Sequence, residues 1–581
     1  MKRLLLYVHF NKFNSLSAHV TYQLEQMRPL FSKVIFISNS ELAADVESGL
    51  RERQLIDDCV RRENVGFDFA AWRDGMNVIG FDTLKEYDSV TLMNDTCFGP
   101  LWDMNEVYQR FENDPEVDFW GMTNFRANSQ FREHIQSYYL SFSNSVIQSQ
   151  AFQDFWMNLQ NFTNVQDVID NYETRVTTVL TDAGFKYKTV LDTVDLDTTG
   201  MLHPDFSYYN PTAILKHKVP FIKVKTIDAN QHITPYILDE IDRCSDYPVD
   251  LIVTHMSNIN YPDFKYLLGR KYLKPAQADF SGQKVAVHLH VFYVDLLQEF
   301  LDAFGHFHFD YDLFITTDVA QKEEAIQAIL DENNRPAQIF VTGNIGRDVL
   351  PMLKLKEQLQ DYDFVGHFHT KKSKEADFWA GESWRKELIE MLIVPADNIL
   401  ANLIQEDSLG MVIADIPTFF RYNKIVDAYN ENQIAPAMND LWEQMGLQKT
   451  IDFNALHTFV MSYGTYVWFK YDALKPLFDL NLTDEDVPAE PLPQNSILHA
   501  IERLLIYIGW AKQYDFRIAP NPVPLTAFID NKLLNERGDA LPHTYVNFDH
   551  LGGIKGAAKY IFIGPARAIK YILKRLRSKM N

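Results

Sequence analysis

Cysteine is scarce in this chain of 581 residues, which contains only Cys59, Cys97 and Cys244. None of the three has the CxxC or similar spacing of a metal site, and an odd, sparse set does not make a disulfide framework. A secreted protein held together by disulfides is therefore excluded, and the composition fits a reducing compartment.

Long hydrophobic runs are also lacking. No stretch has 18 consecutive apolar residues, so a membrane-spanning helix is not expected. The N-terminus, MKRLLLYVHFNKF, has two basic residues before an apolar run, but His9, Asn11 and Lys12 interrupt that run. Because a small-residue cleavage site is also lacking, the segment is predicted to be a buried first strand and not a signal peptide.

Positive charge is scarce in most of the chain and concentrated at its end. The net charge is −23, yet residues 551–581 carry eight lysines and arginines and no acid, which leaves 47 basic and 78 acidic residues in 1–550, a balance of −31. An acidic body of this kind does not bind nucleic acid by electrostatics. The basic tail needs a separate explanation.

The composition that is present is that of a folded protein with more than one domain. A hydrophobic content of 46% with 13% aromatic residues excludes a disordered chain. A single core rarely grows beyond roughly 250–300 residues, so two or three domains are expected.

An internal repeat divides the chain into two related halves. In the first half, the strand-like segments RLLLYVHF (3–10) and KVIFISNS (33–40) are separated by a helix-like stretch, and KVAVHLHV (284–291) and DLFITTD (312–318) repeat this order. The motif Asn64-Val-Gly66-Phe-Asp68 has its counterpart in Asn344-Ile-Gly346-Arg347-Asp348. His9 precedes Asn64 by 55 residues and His290 precedes Asn344 by 54, so the two are taken as equivalent.

Alternating strands and helices predict a mainly parallel sheet with helices on both faces in each half. We place the first unit at 1–270, the second at 284–518, and an irregular segment with a terminal helix at 519–581. Ligands of such sheets bind beyond the carboxyl ends of the strands, near a switch in strand order. The polar clusters Met93–Thr96 and Phe368–Lys371 follow predicted strands and mark those ends.

Asp95 is the leading candidate for chemistry in the first half. A carboxylate at a strand end is a suitable ligand for Mg²⁺ or Mn²⁺, which share oxygen ligands with substrate phosphates. The alternative is that Asn94-Asp95 forms a turn and bonds only its own backbone. Asn64 and Gly66 precede a predicted helix and are explained either as a cap and tight turn or as part of a ligand-binding turn.

The second half is rich in histidine, and three pairs share the spacing HxH: His288/His290, His306/His308 and His367/His369. Residues i and i+2 of a strand face the same side, so each pair has the spacing of a zinc site, although half-buried strand histidines are the commoner explanation. His369 is followed by Thr370, Lys371 and Lys372, and the two lysines are suited either to phosphate charge or to a solvated loop.

The basic tail predicts an amphipathic helix. One stripe is formed by apolar side chains, with a break expected at Gly564-Pro565, and basic residues fill the rest; the stripe comprises Ile554, Ala558, Ile561, Ile569, Ile572, Leu576 and Met580. This pattern is typical of a helix at an anionic membrane surface, and the alternative is a terminal helix docked on the protein.

These motifs in combination resemble the rhamnan synthesis protein F family. The resemblance covers about 1–270 and 284–510 and depends on a set of segments: ENVGFDFAAWRDGM (63–76), YDSVTLMNDTCFGPL (87–101), DFWGMTNF (118–125), HIQSYYLSF (134–142), GNIGRDVLP (343–351), YDFVGHFHTKKS (362–373), YGTYVWFKYDAL (463–474) and LHAIERLL (498–505). It implies two tandem GT-A-like glycosyltransferase units of the Rossmann-type α/β class. It also implies a dTDP-L-rhamnose donor, a lipid-linked saccharide acceptor, inversion at the sugar, and a peripheral location on the cytoplasmic face of the plasma membrane beside other polysaccharide assembly enzymes.

The resemblance also assigns roles to residues. Asp95 takes the DxD-like position and holds the metal or the pyrophosphate, assisted by donor-site residues, and the candidates for the catalytic base are His134 and Asp205; the donor-site residues are His9, Asn64, Gly66, Asp68 and Asn94. The second site is expected to use cationic side chains or to have lost transfer, since it has no carboxylate at the equivalent position; its predicted residues are Asn344, Gly346, Arg347, Asp348, His367, His369, Lys371, Lys372, Glu502 and Arg503. The competing hypothesis is a non-catalytic scaffold that binds lipid-linked saccharide.

Overall fold

A computed structural model describes residues 1–129, 131–201, 203–262, 264–370, 372, 378–422, 428–456, 459–493, 495–523 and 553–577. The chain divides into two units after Pro522, and the second is described only at Val523 and over Gly553–Arg577. The predicted domain limits at 270, 284 and 518 stay predictions. Lys371 lies outside the described residues.

The first half of the larger unit is built on a twisted mixed sheet. Its strands, with a short two-stranded ribbon of β5 and β10 beside it, are β1 (Arg3–His9), β2 (Lys33–Ser38), β3 (Asp58–Arg61), β4 (Ser89–Asn94), β5 (Cys97–Phe98), β6 (Phe119–Phe125), β7 (His134–Ile135), β8 (Tyr139–Ser143), β9 (Tyr187–Leu191) and β10 (Ile222–Lys223). Its helices are α1 (Ala18–Met27), α2 (Ala44–Glu52), α3 (Phe67–Ile79), α4 (Phe81–Leu84), α5 (Met104–Glu112), α6 (Asn144–Gln148), α7 (Gln150–Met157), α8 (Val165–Val168), α9 (Thr174–Asp182), α10 (Phe206–Tyr209), α11 (Pro211–Lys216), α12 (Val224–Ala229), α13 (Thr234–Cys244) and α14 (Asp250–Ile259).

The second half is built on another mixed sheet. Its strands are β11 (Val285–His290), β12 (Asp312–Thr317), β13 (Gln338–Val341), β14 (Phe364–His369), β15 (Leu409–Ala414), β16 (Val467–Lys470) and β17 (Asp515–Ala519). Its helices are α15 (Leu297–Phe304), α16 (Glu323–Glu332), α17 (Val349–Leu353), α18 (Lys356–Leu359), α19 (Phe378–Leu392), α20 (Ala396–Gln405), α21 (Thr418–Tyr422), α22 (Ala428–Gln444), α23 (Tyr471–Asp479) and α24 (Ile497–Ala511).

The two sheets repeat one topology. The strand order is β3-β2-β1-β4-β8-β6 in the first and β13-β12-β11-β14-β16-β15 in the second, and β9 and β17 extend β6 and β15 in parallel. In each sheet one strand, β8 or β16, is antiparallel to both of its neighbours. The predicted duplication and the class of two tandem GT-A-like α/β units are therefore confirmed, with an antiparallel strand inserted into each parallel sheet.

Helices cover both faces of each sheet because the central strands are apolar on both sides. β1 alternates between the core under α1 and α5 and the core under α3, and β11 alternates in the same way between two cores of the second half. Near-continuous burial of this kind is the expected signature of a strand covered on both faces. The rigid core leaves the carboxyl ends of β1, β4, β11 and β14 as the places where polar side chains collect.

The smaller unit contains the helix α25 (Gly553–Arg577), so the predicted helical tail is confirmed. The predicted break at Gly564-Pro565 is wrong, because the helix continues through Pro565. A proline removes one backbone N–H, which bends a helix without having to end it. Several apolar side chains are strongly exposed, with Ile554 at 90% and Phe562 at 80%. No helix in the described ranges is long and apolar enough to cross a membrane.

Candidate functional site

The first candidate site lies where the chain reverses the direction in which it adds strands. β1 leads to β2 and β3 on one side and has β4 as its other neighbour, so the gap beyond β1 and β4 is the switch point of the sheet. His9 ends β1, Asn94 ends β4, and Asp95 follows directly. The sequence prediction that these polar residues meet at a strand edge is supported by this topology.

Asp95 is held by backbone groups at the end of β1. Its Oδ2 accepts a hydrogen bond from the Phe10 N–H at 2.9 Å, and its own N–H donates to the Val8 carbonyl at 3.1 Å. His9 Nε2 lies 3.9 Å from the same carboxylate oxygen. Burial raises the pKa of Asp95 to about 7, because it disfavours the ionised form of the side chain. A bound cation would stabilise that ionised form.

Asp68 and Asn94 form the second part of the site. Asn94 Nδ2 donates to Asp68 Oδ2 at 3.0 Å, and burial, with Glu173 adding to it, raises the pKa of Asp68 to about 6. Asn94 Oδ1 also accepts from the Thr96 N–H at 3.3 Å, which is the self-capped turn considered as the alternative for this motif. The turn explanation therefore holds for Asn94, whereas the Asp95 side chain reaches across to the next strand.

Asn64 and Gly66 shape the turn that places Asp68. Asn64 Oδ1 accepts from Asn39 Nδ2 at 3.1 Å, and Gly66 begins α3 with a φ of 72°. A Cβ on Gly66 would lie 2.5 Å from the Ala70 Cβ, so no other residue fits there without movement. The contacts of both residues are structural.

Two histidines of this site were missed by the sequence analysis. His19, on α1, is 1% exposed, lies with Nε2 3.4 Å from the Asp95 carbonyl oxygen, and contacts His255 of α14 at 4.2 Å between ring centroids. Burial lowers the pKa of His19 to about 4 and that of His255 well below its usual value, so both rings are neutral at physiological pH. Their separation of more than 200 positions left no local pattern to find them.

The two candidates for the catalytic base lie on the far side of the same sheet. β8 and β6 separate β7, which carries His134, from β4, and each strand spacing is about 4.8 Å. His134 Nδ1 is 2.9 Å from the Arg132 carbonyl, and its ring stacks on Phe125. Asp205 accepts two hydrogen bonds from Gln136 Nε2, both at 3.1 Å. Neither side chain has a recorded contact with Asp95 in the described part of the chain, and both roles stay predictions.

The second half reproduces the backbone of the first site with different side chains. The Phe292 N–H donates to Thr370 Oγ1 at 2.9 Å, as Phe10 does to Asp95, and the Thr370 N–H donates to the His290 carbonyl at 2.9 Å, as Asp95 does to Val8. Thr370 thus occupies the place of Asp95, and His369 that of Asn94. This makes His290 the counterpart of Val8, so the predicted equivalence of His9 and His290 is wrong by one residue.

Asp348 is the acidic centre of the second site. Its Oδ2 accepts from the Thr465 hydroxyl and lies 3.5 Å from His367 Nε2 and 3.8 Å from His369 Nε2. Burial disfavours the carboxylate, but the two histidines outweigh it and hold the pKa of Asp348 well below its usual value. Glu502 borders this group, since its Oε1 accepts from the Gly464 N–H at 3.0 Å.

The other predicted residues of the second site point elsewhere or serve the fold. Arg347 forms an exposed ion pair with Glu490, Lys372 pairs with Asp295, and the Asn344 side chain is exposed. Gly346 repeats the role of Gly66, because a Cβ there would lie 2.1 Å from the Leu350 Cβ. Arg503 donates to the His499 carbonyl at 3.0 Å.

The described residues do not form a metal site by themselves. Within the described ranges, no group of three or more His, Cys, Asp or Glu side chains is arranged to hold a metal ion. The zinc explanation of the HxH pairs therefore has no support, and His308 instead contacts Asp397 at 2.6 Å. A divalent cation at Asp95 would need substrate oxygens to complete its shell, which is how Mg²⁺ is commonly bound beside phosphates.

Two surface cavities lie at the opposite, amino-terminal edge of the second sheet. The larger has a volume of about 790 Å³ and is lined in part by Tyr362, Asp363 and Lys470. The smaller, of about 570 Å³, borders Val285 and Asp312. Neither is bordered by Asp95 or His369, so the candidate sites are open strand edges and not these cavities.

The fold and its two strand-edge sites define an α/β protein with a duplicated switch-point arrangement of the kind that binds nucleotides. A family model described as rhamnan synthesis protein F matches residues 34–514. The chain belongs to this family, as the sequence motifs predicted.

Individual relatives match smaller parts of the chain. The protein described as uncharacterized protein WxcX of Xanthomonas campestris pv. campestris is 30% identical over 233 residues, which are 39% of this chain and 31% of that protein. The uncharacterized protein y4gN of Sinorhizobium fredii is 25% identical over 156 residues, 26% of this chain and 40% of that protein. The chain thus matches less than half the length of these curated relatives.

Solved structures overlap the chain only partially. The glycosyltransferase GlyE of Streptococcus pneumoniae is 14% identical, with a TM-score of 0.24, over 66% of this chain and 89% of that one. The mannosyltransferase PcManGT of Pyrobaculum calidifontis, in complex with GDP-Man and Mn²⁺, is also 14% identical, with a TM-score of 0.23, over 48% and 68%. These partial similarities do not assign a reaction to this chain.

Proposed function

We propose that the chain is a glycosyltransferase that transfers L-rhamnose from dTDP-L-rhamnose to a lipid-linked saccharide during the assembly of a rhamnose-rich polysaccharide. The observation that carries the proposal is Asp95, a partly buried carboxylate with a raised pKa at the switch point of the first sheet, in a chain of the rhamnan synthesis protein F family. Perturbed carboxylates at such edges are typical of functional sites.

The first site would bind the diphosphate of the donor. Asp95 and Asp68 carry the negative charge that holds a divalent cation against phosphate oxygens, and that cation would supply charge stabilisation of the leaving diphosphate. His9 and His19 are neutral and buried at this edge, since burial lowers the pKa of each to about 4. Neutral imidazoles donate hydrogen bonds without competing with the cation for the carboxylates.

The stereochemical outcome follows from the substrates. The donor sugar is β-linked to the nucleotide and rhamnans are α-linked, so the proposed transfer inverts the anomeric carbon. An inverting transfer requires a base for the acceptor hydroxyl. His134 and Asp205 are the proposed candidates, at the carboxyl-terminal side of β6.

Donor choice is tested by incubating the full chain with a panel of nucleotide sugars and a lipid-linked rhamnose acceptor. Release of the nucleotide diphosphate is followed with Mg²⁺, with Mn²⁺ and with a chelator. We expect dTDP release from dTDP-L-rhamnose alone and only with a metal. A chain that binds the acceptor but releases no nucleotide diphosphate from any donor would support the scaffold hypothesis instead.

We further propose that α25 attaches the protein to an anionic membrane surface. Its apolar side chains Ile554, Ile561 and Phe562 are exposed, as are the lysines at 555, 559 and 570. Each lysine near an anionic surface contributes about 1 kcal/mol of attraction. The exposed apolar stripe supplies the remaining affinity by inserting into the headgroup region.

Changing Lys555, Lys559 and Lys570 together to glutamine is therefore expected to weaken binding to phosphatidylserine-containing vesicles about 100-fold. Vesicle flotation of the full chain measures the effect. The matched control changes three exposed lysines of the body, Lys186, Lys274 and Lys475, to glutamine and is expected to leave flotation unchanged. Equal loss in both variants would contradict the role of the helix.

A further inference from the structure

The second half has replaced part of an apolar core by a polar network. When the two sheets are matched by their strand registers, four positions of the first sheet have equivalents in the second. Leu6, Val8, Ile37 and Leu92 correspond to His288, His290, Thr316 and His367, in that order. The first four belong to the hydrophobic core that also contains Phe69 and Trp72 of α3. The second four are all buried, none with more than 3% exposure. Burying polar groups is costly unless they bond one another, so this replacement calls for a functional reason.

The four polar side chains form one hydrogen-bonded chain, and its last ring, His367, lies beside Asp348. His290 Nδ1 is 2.9 Å from Thr316 Oγ1, which is 2.9 Å from His288 Nε2. His288 Nδ1 is 2.8 Å from His367 Nδ1, and His367 Nε2 lies 3.5 Å from Asp348 Oδ2. Four side chains from three strands are thereby hydrogen-bonded in sequence, and the Asp348 carboxylate, just before α17, lies next to the last of them.

We assign the direction of this chain from the end that lies beside the Asp348 carboxylate. His367 Nε2 faces the Asp348 carboxylate, which can only accept, so we assign the ring proton of His367 to Nε2 and the lone pair to Nδ1. His288 must then donate from Nδ1, which leaves its Nε2 as an acceptor. The single hydroxyl proton of Thr316 goes to that nitrogen, and the Thr316 oxygen accepts from His290 Nδ1.

The consequence is a defined state of His290, whose Nε2 is left with a lone pair. This ring ends β11 opposite His369, at the switch point of the second sheet. Nε2 of His290 has no hydrogen-bond partner recorded in the described part of the chain, whereas Nδ1 is engaged by Thr316. A buried ring with a fixed acceptor nitrogen is a recognition group for a hydrogen-bond donor.

The electrostatics of this edge favour an uncharged ligand. Burial lowers the pKa of His290 to about 4 and that of His288 further, so both rings are neutral beside the ionised Asp348. Thr370 stands where the first half has Asp95, so the carboxylate that would hold a cation against a diphosphate is replaced by a neutral hydroxyl. Phe292 and Tyr293 lie just beyond β11, after Val291, and supply aromatic surface.

We propose that the second half is a saccharide-binding site in which His290 Nε2 accepts a hydrogen bond from a sugar hydroxyl, with Thr316, His288, His367 and Asp348 as positioning residues. The identity of the sugar rests on the proposed function, which makes it the rhamnose-containing acceptor. The first half would then hold the nucleotide donor and the second half the growing saccharide.

The binding test uses the full chain, a soluble rhamnose disaccharide and dTDP with Mg²⁺, each titrated by calorimetry at pH 8. Thr316→Val removes the hydroxyl that links His288 to His290 with little change in shape. We expect the disaccharide to bind about tenfold more weakly to this variant, because one buried hydrogen bond is lost, and dTDP to bind as before. Thr316→Ser retains the hydroxyl and is expected to restore disaccharide affinity.

A second measurement separates recognition from simple loss of packing. In solid-state ¹⁵N spectra of histidine-labelled protein, protonated and unprotonated ring nitrogens resonate in different ranges, and a His290→Gln sample identifies the His290 signals. At pH 8, well above the usual imidazole pKa, His290 is expected to have an unprotonated Nε2. Thr316→Val is expected to move the proton to Nε2, Thr316→Ser to leave it on Nδ1, and Asp348→Ala to populate both forms.

Specific outcomes overturn the inference. These are disaccharide binding that is absent or equal in the parent and Thr316→Val proteins, a loss of dTDP binding in Thr316→Val, or a protonated Nε2 in the parent protein. None of these measurements uses a glycosyl donor. Failure of the donor panel therefore removes the proposed transfer reaction while leaving saccharide recognition by the second half to be decided by its own data.

Discussion

Replacing Asp95 with asparagine is expected to reduce glycosyl transfer about 1000-fold, since the group that holds charge against the leaving diphosphate is lost. The same change is expected to stabilise the fold above neutral pH. Burial raises the pKa of Asp95 from its usual value of 3.8 to about 7, so the folded chain holds this proton more tightly than the unfolded chain. That contribution is complete below the unfolded pKa and is lost as the pH rises through about 7.

Asparagine has no proton to lose and keeps the ability to accept from the Phe10 N–H. The free energy of unfolding at pH 8 without metal is therefore expected to rise by about 1–3 kcal/mol, and the difference from the parent protein to vanish near pH 4. Chemical denaturation at the two pH values and dTDP release measure the two effects. Asp82→Asn, at a carboxylate with a 98% exposed side chain, is the control and should change neither.

An Asp95→Asn protein that transfers normally would remove this residue from the reaction. If the Asp95→Asn protein is less stable than the parent protein at pH 8, the carboxylate stabilises the fold. The idea that it is kept for function at a cost in stability would then be wrong. The two results are independent, because activity depends on the donor and stability is measured without it. Residues kept at a cost to stability are expected at functional sites.

The duplication was predictable from the sequence because short local patterns recur in the same order in both halves. Apolar runs, the two glycine turns and the polar strand ends recur in order, and the structure aligns Met93–Asp95 with Phe368–Thr370 as the sequence did. The pairing of His9 with His290 failed for a simple geometric reason. A shift of one residue in a strand moves the side chain to the opposite face, and only the hydrogen-bonded register reveals which residue is equivalent.

The composition of each site was less predictable than its position. His19 and His255 reach the first site from α1 and α14, and only the packing of these helices brings them together. Arg347 follows Gly346 in the sequence and was therefore predicted to lie in the second site. Its backbone has a φ of 53°, and its side chain forms an ion pair with Glu490. The sequence therefore predicted the position of the turn at Gly346, but not the direction of the Arg347 side chain.

The buried histidine chain shows the same limit in another form. The HxH spacing predicted that His288 and His290 share a face, and it indicated either a metal or half-buried core residues. The structure adds Thr316 of β12, which contacts both rings, and Asp348 at the start of α17, which lies beside His367. Sequence spacing gives the face of a strand, whereas the chemistry depends on neighbours from other elements.

The connection between the halves begins at Lys271, which forms a buried ion cluster with Asp515 and Arg517 of β17. Lys271 is 1% exposed and donates to both carboxylate oxygens of Asp515, at 2.6 and 2.7 Å, and Arg517 donates to the same carboxylate at 2.6 Å. The Lys271 carbonyl also accepts from the Ile518 N–H at 2.8 Å, which ties the link to β17. The lysine therefore anchors the segment that joins the two sheets.

Asp515→Asn is expected to destabilise the protein by about 3–5 kcal/mol, because it leaves the ammonium of Lys271 buried without its counter-charge. The pKa of Asp515 is lowered in the folded state, since Lys271 and Arg517 outweigh the effect of burial. The stability that the Asp515 carboxylate contributes is thus present above its unfolded pKa and is lost as the pH falls. The free energy of unfolding should therefore fall less between pH 7 and pH 3 in the variant than in the parent protein. Denaturant unfolding at both pH values measures this. Asp182→Asn breaks the exposed pair with Arg132 and should cost less than about 1 kcal/mol, so equal costs at the two positions would mean that burial adds nothing to the Lys271 pair.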